Sequence, residues 1–149
     1  MKYFSYYISL LLFINVSCIP HKYDNRQLTV SNLSQKSIYA LISPNDDVMG
    51  NQHYSLIRKA KDSSELTKFG YEFDLIKPDL KVTVRERPKF WDDFCKDSDD
   101  RKIRIFIIEE DSVKKYGWIK IYKNQIFNKK YIYSIGDVKR QNWEVTYPE

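Results

Sequence analysis

Ile103-Arg104-Ile105-Phe106-Ile107-Ile108 is apolar at every position but one. On an extended backbone Ile103, Ile105 and Ile107 point one way, and Phe106 and Ile108 the other. A strand apolar on both faces has to be covered on both, so this one is predicted at the centre of a sheet. Glu109-Glu110-Asp111 ends it. Ser112 to about Lys123 then reads as a short helix started by an Asp111 cap. A strand over Trp118–Tyr122 is the alternative at that ambiguous spacing.

Downstream, Lys130–Ile135 reads as a strand, Gly136–Gln141 as a helical turn, and Trp143–Tyr147 as a last strand with Trp143, Val145 and Tyr147 on one side. Upstream, Val82 and Val84 alternate with Lys81, Thr83 and Arg85. Pro88 suits the first turn of a helix whose one face gathers Phe90, Trp91, Phe94 and Cys95, with Asp92 and Asp93 opposite. Tyr71–Ile76 is a further strand, Tyr54–Arg58 a short candidate, and residues 48–70 are otherwise hard to read. Near the start, Leu28 and Val30 alternate with Thr29 and Ser31. A turn over Asn32–Lys36 leads to Ser37–Ser43, and the two segments are expected to pair as a hairpin. The first and last strands are candidates to pair as well. About seven short strands with one or two inserted helices predict a mainly β, antiparallel, sandwich-like single domain over 27–149, with α+β as the alternative.

The N-terminus reads as an address. After Met1-Lys2, Tyr3–Val16 is apolar or aromatic apart from Ser5, Ser9 and Asn15. That is the length of a signal h-region and well short of the roughly 20 residues that span a bilayer. Asn15-Val16-Ser17-Cys18 follows, and it resembles the lipobox of bacterial lipoproteins, with Asn15 where the usual pattern has Leu. The resemblance implies removal of residues 1–17, lipidation of Cys18 with palmitate-type chains, and a polar tether over 18–26. Conventional cleavage and an uncleaved anchor are the competing readings. Lipidation also accounts for the cysteines, because it leaves Cys95 as the remaining thiol and a buried one is expected there. Ile19 after the cysteine, with no acidic run beyond it, implies by resemblance to sorting rules an outer-membrane anchor facing the periplasm.

The body carries a second resemblance. Leu28-Thr29-Val30-Ser31-Asn32, Phe90-Trp91-Asp92-Asp93-Phe94, Ile105-Phe106-Ile107-Ile108 and Asn142-Trp143-Glu144-Val145-Thr146-Tyr147-Pro148 are similar to segments of a family of small uncharacterised Bacteroidota lipoproteins. Ser43-Pro44-Asn45-Asp46 departs from the loop usual in that family. The resemblance implies the address and the fold, and no activity comes with it.

Composition excludes little but directs the search. The chain has 149 residues, 12 Tyr, 8 Phe and 3 Trp, and a formal charge of +5 with both signs interspersed. Nucleic-acid binding wants basic residues gathered on one face. The densest candidates, Lys81–Lys89 and Lys123–Arg140, read as solvated faces, so no nucleic-acid partner is expected. There is no Gly-rich phosphate loop, Cys-x-x-Cys, His-Glu-x-x-His or Gly-x-Ser-x-Gly, and no cofactor, metal or catalytic residue is assigned. Asp97-Ser98-Asp99-Asp100 starts like a calcium loop, but Arg101 stands where an oxygen ligand is needed. Asp92, Asp93, Glu109 and Glu110, with His53, are what a glycosidase-like envelope hydrolase would have to use. Asp111-Ser112-Val113 fits a short O-glycosylation pattern at Ser112, and a helix start explains the same residues. Trp91, Trp118 and Trp143 are candidates for a sugar-stacking platform, although their spacing also suits a core. The leading expectation is a non-catalytic, membrane-tethered module that binds an envelope protein or glycan. The hydrolase and the glycan binder are its rivals.

Overall fold

The computed structural model describes residues 26–48, 75–84, 91–96 and 98–148. The expected signal, Cys18, His53, Pro88, Phe90 and the Tyr54–Arg58 candidate all lie outside these residues.

β5 (Lys102–Glu109) contains the doubly apolar run, and it occupies the interior position expected of it. On one side it pairs antiparallel with β2 (Ile38–Ser43), and on the other with β6 (Lys129–Ser134). β3 (Leu75–Ile76) adds to the far edge of β2, giving the order β3-β2-β5-β6. Phe106, Ile103, Ile105, Ile107 and Ile108 are each at most 1% exposed. Burying one such side chain contributes about 1.5–3 kcal/mol, so this strand is a main source of stability.

Its two faces serve two cores. Ile103, Ile105 and Ile107 join Ile38 and Ile42 of β2 in a cluster with Leu28, Val30, Val145, Trp91 and Cys95. Phe106 and Ile108 join Leu41, Val48, Ile121 and Tyr122 in the other. The second sheet has the order β4-β1-β7, where β1 is Thr29–Asn32, β4 is Lys81–Thr83 and β7 is Glu144–Tyr147. Its inner residues Val30 and Val145 belong to the first cluster, so the two sheets share that core.

Three helices complete the described residues. α1 (Trp91–Lys96) buries Trp91 and Cys95 and turns Asp92 and Asp93 outward, as the spacing predicts. α2 (Glu110–Lys123) covers the Phe106 face of the four-stranded sheet. α3 (Ile135–Arg140) starts at a capping box in which Ser134 Oγ accepts from the Asp137 backbone and the Asp137 carboxylate accepts from the Ser134 backbone.

Several expectations are corrected. β1 and β2 do not form a hairpin; they belong to different sheets, and the turn between them is a crossover. The cause is Asn32, which is fully buried and whose side-chain amide donates to the carbonyls of Lys36 (2.7 Å) and Ile76 (2.9 Å). These bonds tie the end of β1 to the turn and to β3, and leave β1 to pair with β4 and β7 instead. The first and last strands do pair, but in parallel, so the smaller sheet is mixed. α2 begins one residue before Asp111, with Glu109 at the N-cap and no side-chain cap bond. Trp118–Tyr122 is helical rather than extended. Gly117, at φ 70 and ψ 153, breaks α2 into two stretches in a conformation a side chain rarely adopts. Among the described residues there are three helices rather than one or two beside the strands, so the domain is mixed, as the α+β alternative has it. Among the described residues no strand joins β6 to β7, so neither a closed sandwich nor a barrel forms.

Candidate functional site

The two ends of the strands carry different chemistry. β1 follows Arg26 and Leu28 and runs from Thr29 to Asn32, and β7 follows Trp143 and runs parallel to it from Glu144 to Tyr147. At the far end Glu109 closes β5. It accepts Lys36 Nζ at 2.7 Å and the Tyr147 hydroxyl at 3.2 Å. Burial, then the Glu109 carboxylate, raises the Tyr147 hydroxyl above its ordinary pKa, and the Lys36 ammonium is raised first by its hydrogen bond to Glu109. Tyr131 donates to the Thr146 carbonyl (3.2 Å), bridging β6 to β7 across the open edge. Burial raises its pKa, with Tyr133 and Tyr147 contributing. Tyr131 and Tyr133 stack at 5.9 Å on the same face of β6.

At the near end lies Arg26, the first of the described residues. The Arg26 carbonyl accepts the indole Nε1 of Trp91 at 3.0 Å, and its guanidinium lies 4.7 Å from the Trp143 ring. Trp91 and Trp143 pack against each other with centroids 5.2 Å apart.

The three tryptophans therefore do not share a face. Trp91 is 1% exposed inside the first core, and Trp143 is half-buried beside it. Trp118 belongs to the second core, where it meets Tyr39 edge-on at 5.0 Å. Ser112 is half-buried in the first turn of α2, with its hydroxyl donating to Asn128 Oδ1 at 3.2 Å.

The carboxylates are dispersed too. Asp93 is paired with Lys96, Glu110 with Lys114 (3.0 Å), and Glu109 with Lys36. Asp92 and Asp93 belong to α1, which precedes β5, whereas Glu109 is the last residue of β5 and Glu110 the first of α2. Asp99 and Asp100 lie in the turn ahead of β5, where Arg101 takes a positive φ of 53. Asp100 is chelated by Arg104 at 3.0 and 2.9 Å, which holds its carboxyl below the usual range. Among the described residues no group of three or more His, Cys, Asp or Glu is placed to hold a metal. Among them also, no helix is long and apolar enough to cross a membrane.

Sequence reasoning missed the Lys36–Glu109–Tyr147 cluster, the contact at Arg26 and the Arg104–Asp100 fork. Only the last had a local signal: Arg104 is the one polar residue in Ile103–Ile108, and a charge there needs a partner. It finds Asp100 and the Pro44 carbonyl (2.8 Å).

Cys95 is 2% exposed, and burial pushes its thiol up to about 11. It is expected to ignore a thiol reagent at pH 8 and to react fully in denaturant; comparable labelling in both states would refute its burial. The folded pKa lies above the unfolded one, so this group's contribution is complete below about pH 9 and is lost as pH rises towards about 11.

Comparison of the chain with protein-family models, with curated proteins and with solved structures finds no match. The class the fold defines is an α+β domain of two small sheets and three helices among the described residues.

Proposed function

We propose that the chain is a lipid-anchored, non-catalytic binding module of the bacterial envelope, held at the outer membrane through Cys18 and facing the periplasm. The observation that carries it is the apolar run Tyr3–Val16 ending in Ser17-Cys18. The body supports the non-catalytic half: the described carboxylates of the hydrolase reading lie at opposite ends of the fold, and most are engaged in ion pairs. In this reading the two sheets are an open sandwich, supported by the core they share. Membership in the Bacteroidota lipoprotein family belongs to the same proposal, as does an envelope protein or glycan as partner.

The test is intact mass and fractionation of the natural product beside a Cys18→Ala variant. The expected wild type is a membrane-bound chain that begins at an acylated Cys18, and the variant is expected to leave the membrane fraction. A native chain in the cytosol with residues 1–17 intact and no fatty acid would sink the proposal.

A further inference from the structure

The order β3-β2-β5-β6 leaves one side of β6 without a neighbouring strand among the described residues. The hydrogen bonds of β5 tell which groups lie there. The Glu110 amide donates to the Ser37 carbonyl, so even-numbered residues of β5 turn their backbone to β2 and odd-numbered ones to β6. The Glu109 amide, which donates to Asn128 Oδ1, keeps that alternation. With Ile103, Ile105 and Ile107 opposite Tyr133, Tyr131 and Lys129, those three residues of β6 bond to β5. Lys130 and Ile132 therefore turn their amides and carbonyls to the open side. The flanking donors are taken: the Asn128 amide by the Ile107 carbonyl (2.8 Å), the Ser134 amide by the Asp137 carboxylate (2.8 Å). Asn128 and Ser134 stand at equal distances from Tyr131, so the open donors are placed symmetrically about it.

We propose that this edge pairs antiparallel with β6 of a second copy of the chain, about a two-fold axis through Tyr131. The inference does not depend on the anchor. In that register Lys130 meets the second copy's Ile132, and Ile132 meets its Lys130. Every outward amide and carbonyl of the two residues then finds its complement, as a self-complementary interface requires. Charge favours the same register. Lys129 faces the second copy's Tyr133, so no two ammonium groups are opposed, whereas an axis through Lys130 would oppose them. An acidic strand has less to gain here, because Lys130 already holds Asp46 (2.6 Å) and Lys129 lies 6.0 Å from the Tyr131 ring. Ile132 is 45% exposed, and the facing Lys130 stem covers it. β6 is also the longest outer strand described, six residues against two, three and four in β3, β4 and β7. One such edge buries less than about 1,200 Å², so the dimer is a weak one.

The full chain in density-matched detergent micelles is followed by sedimentation equilibrium up to about 1 mM. Wild type is expected to pass from one chain to two as concentration rises. Ile132→Pro removes an outward amide and keeps the bonds to β5, a place where a strand tolerates proline. It is expected to weaken the dimer about tenfold or more and to leave the urea midpoint nearly unchanged. In a second arm, mild oxidation of Tyr131→Cys is expected to link two copies above the wild-type background, since residues facing at the axis come within disulfide reach. Ile132→Cys, the next position along, is expected to stay unlinked, and Cys95 is buried. A wild type that stays monomeric throughout overturns the proposal, as does a dimer that Ile132→Pro leaves intact. Equal or greater linking of Ile132→Cys overturns it too. Where Ile132→Pro lowers the urea midpoint, the cysteine pair decides.

Discussion

Asn32→Ala is expected to lower the stability of the fold by about 3 kcal/mol, a large effect for a polar side chain. The side chain is 0% exposed and makes four hydrogen bonds. Its amide donates to the Lys36 and Ile76 carbonyls, and its Oδ1 accepts the Ser34 amide (3.1 Å) and hydroxyl (2.7 Å). Alanine removes all four. The Ile76 carbonyl is the costly loss, since that bond is buried and lies 44 residues away in sequence. An unsatisfied buried acceptor costs about 1–3 kcal/mol. The bonds around Lys36 are only partly buried, so water replaces some of them. Asn32→Asp sharpens the test. A carboxylate there faces two carbonyl oxygens in a buried site, so its folded pKa is raised. Stability relative to neutral pH should then recover as pH falls, being complete below the unfolded value near about 3.9 and lost as pH rises through the folded value. Urea unfolding in a Cys18→Ala background, followed by tryptophan fluorescence, measures both. A loss under about 1 kcal/mol for the alanine variant would show that Asn32 does not hold the crossover.

The same residue marks where sequence reading stopped. Asn32 to Lys36 has turn chemistry, and turn chemistry between two short strands reads as a hairpin. Whether such strands pair or part depends on what the Asn side chain binds, and one of its partners is Ile76. No local pattern carries that. β5 was legible because it is apolar on both faces, a pattern that a surface strand cannot support. β7 was legible by its alternation. Its partner was legible too, but its direction was not, because period two is the same for parallel and antiparallel neighbours. α2 was read from Ser112 because Asp111 suits a cap, yet the helix starts without a side-chain cap at Glu109.

The candidate site was less legible than the fold. Trp91, Trp118 and Trp143 stood out as residues needing a place, but ring spacing in sequence does not say which sheet face each one covers. The four-stranded sheet separates Trp118 from the other two. Arg26 was assigned to the tether because its neighbours are polar. What binds it is a pair of indoles far away in the chain, and cation–aromatic contacts of this kind leave no signature beside the cation.

Trp91→Ala is the substitution expected to cost most, about 4 kcal/mol. The indole is 1% exposed, meets Phe94 edge-on at 5.9 Å and Trp143 at 5.2 Å, and donates to the Arg26 carbonyl. Alanine opens a cavity between α1 and the shared core and leaves that carbonyl without its donor. Trp91→Phe keeps most of the apolar contact and loses the donor, so about 2 kcal/mol is expected, split between a smaller ring and one hydrogen bond. The ratio of the two losses separates packing from the bond. The pair also decides between the two roles open to this tryptophan. A core residue lowers the urea midpoint in the absence of any ligand, whereas a sugar-stacking residue on the surface changes binding and leaves the midpoint alone. An unaltered midpoint for Trp91→Ala together with lost glycan binding would return Trp91 to the surface and break the shared core on which the two-sheet packing depends.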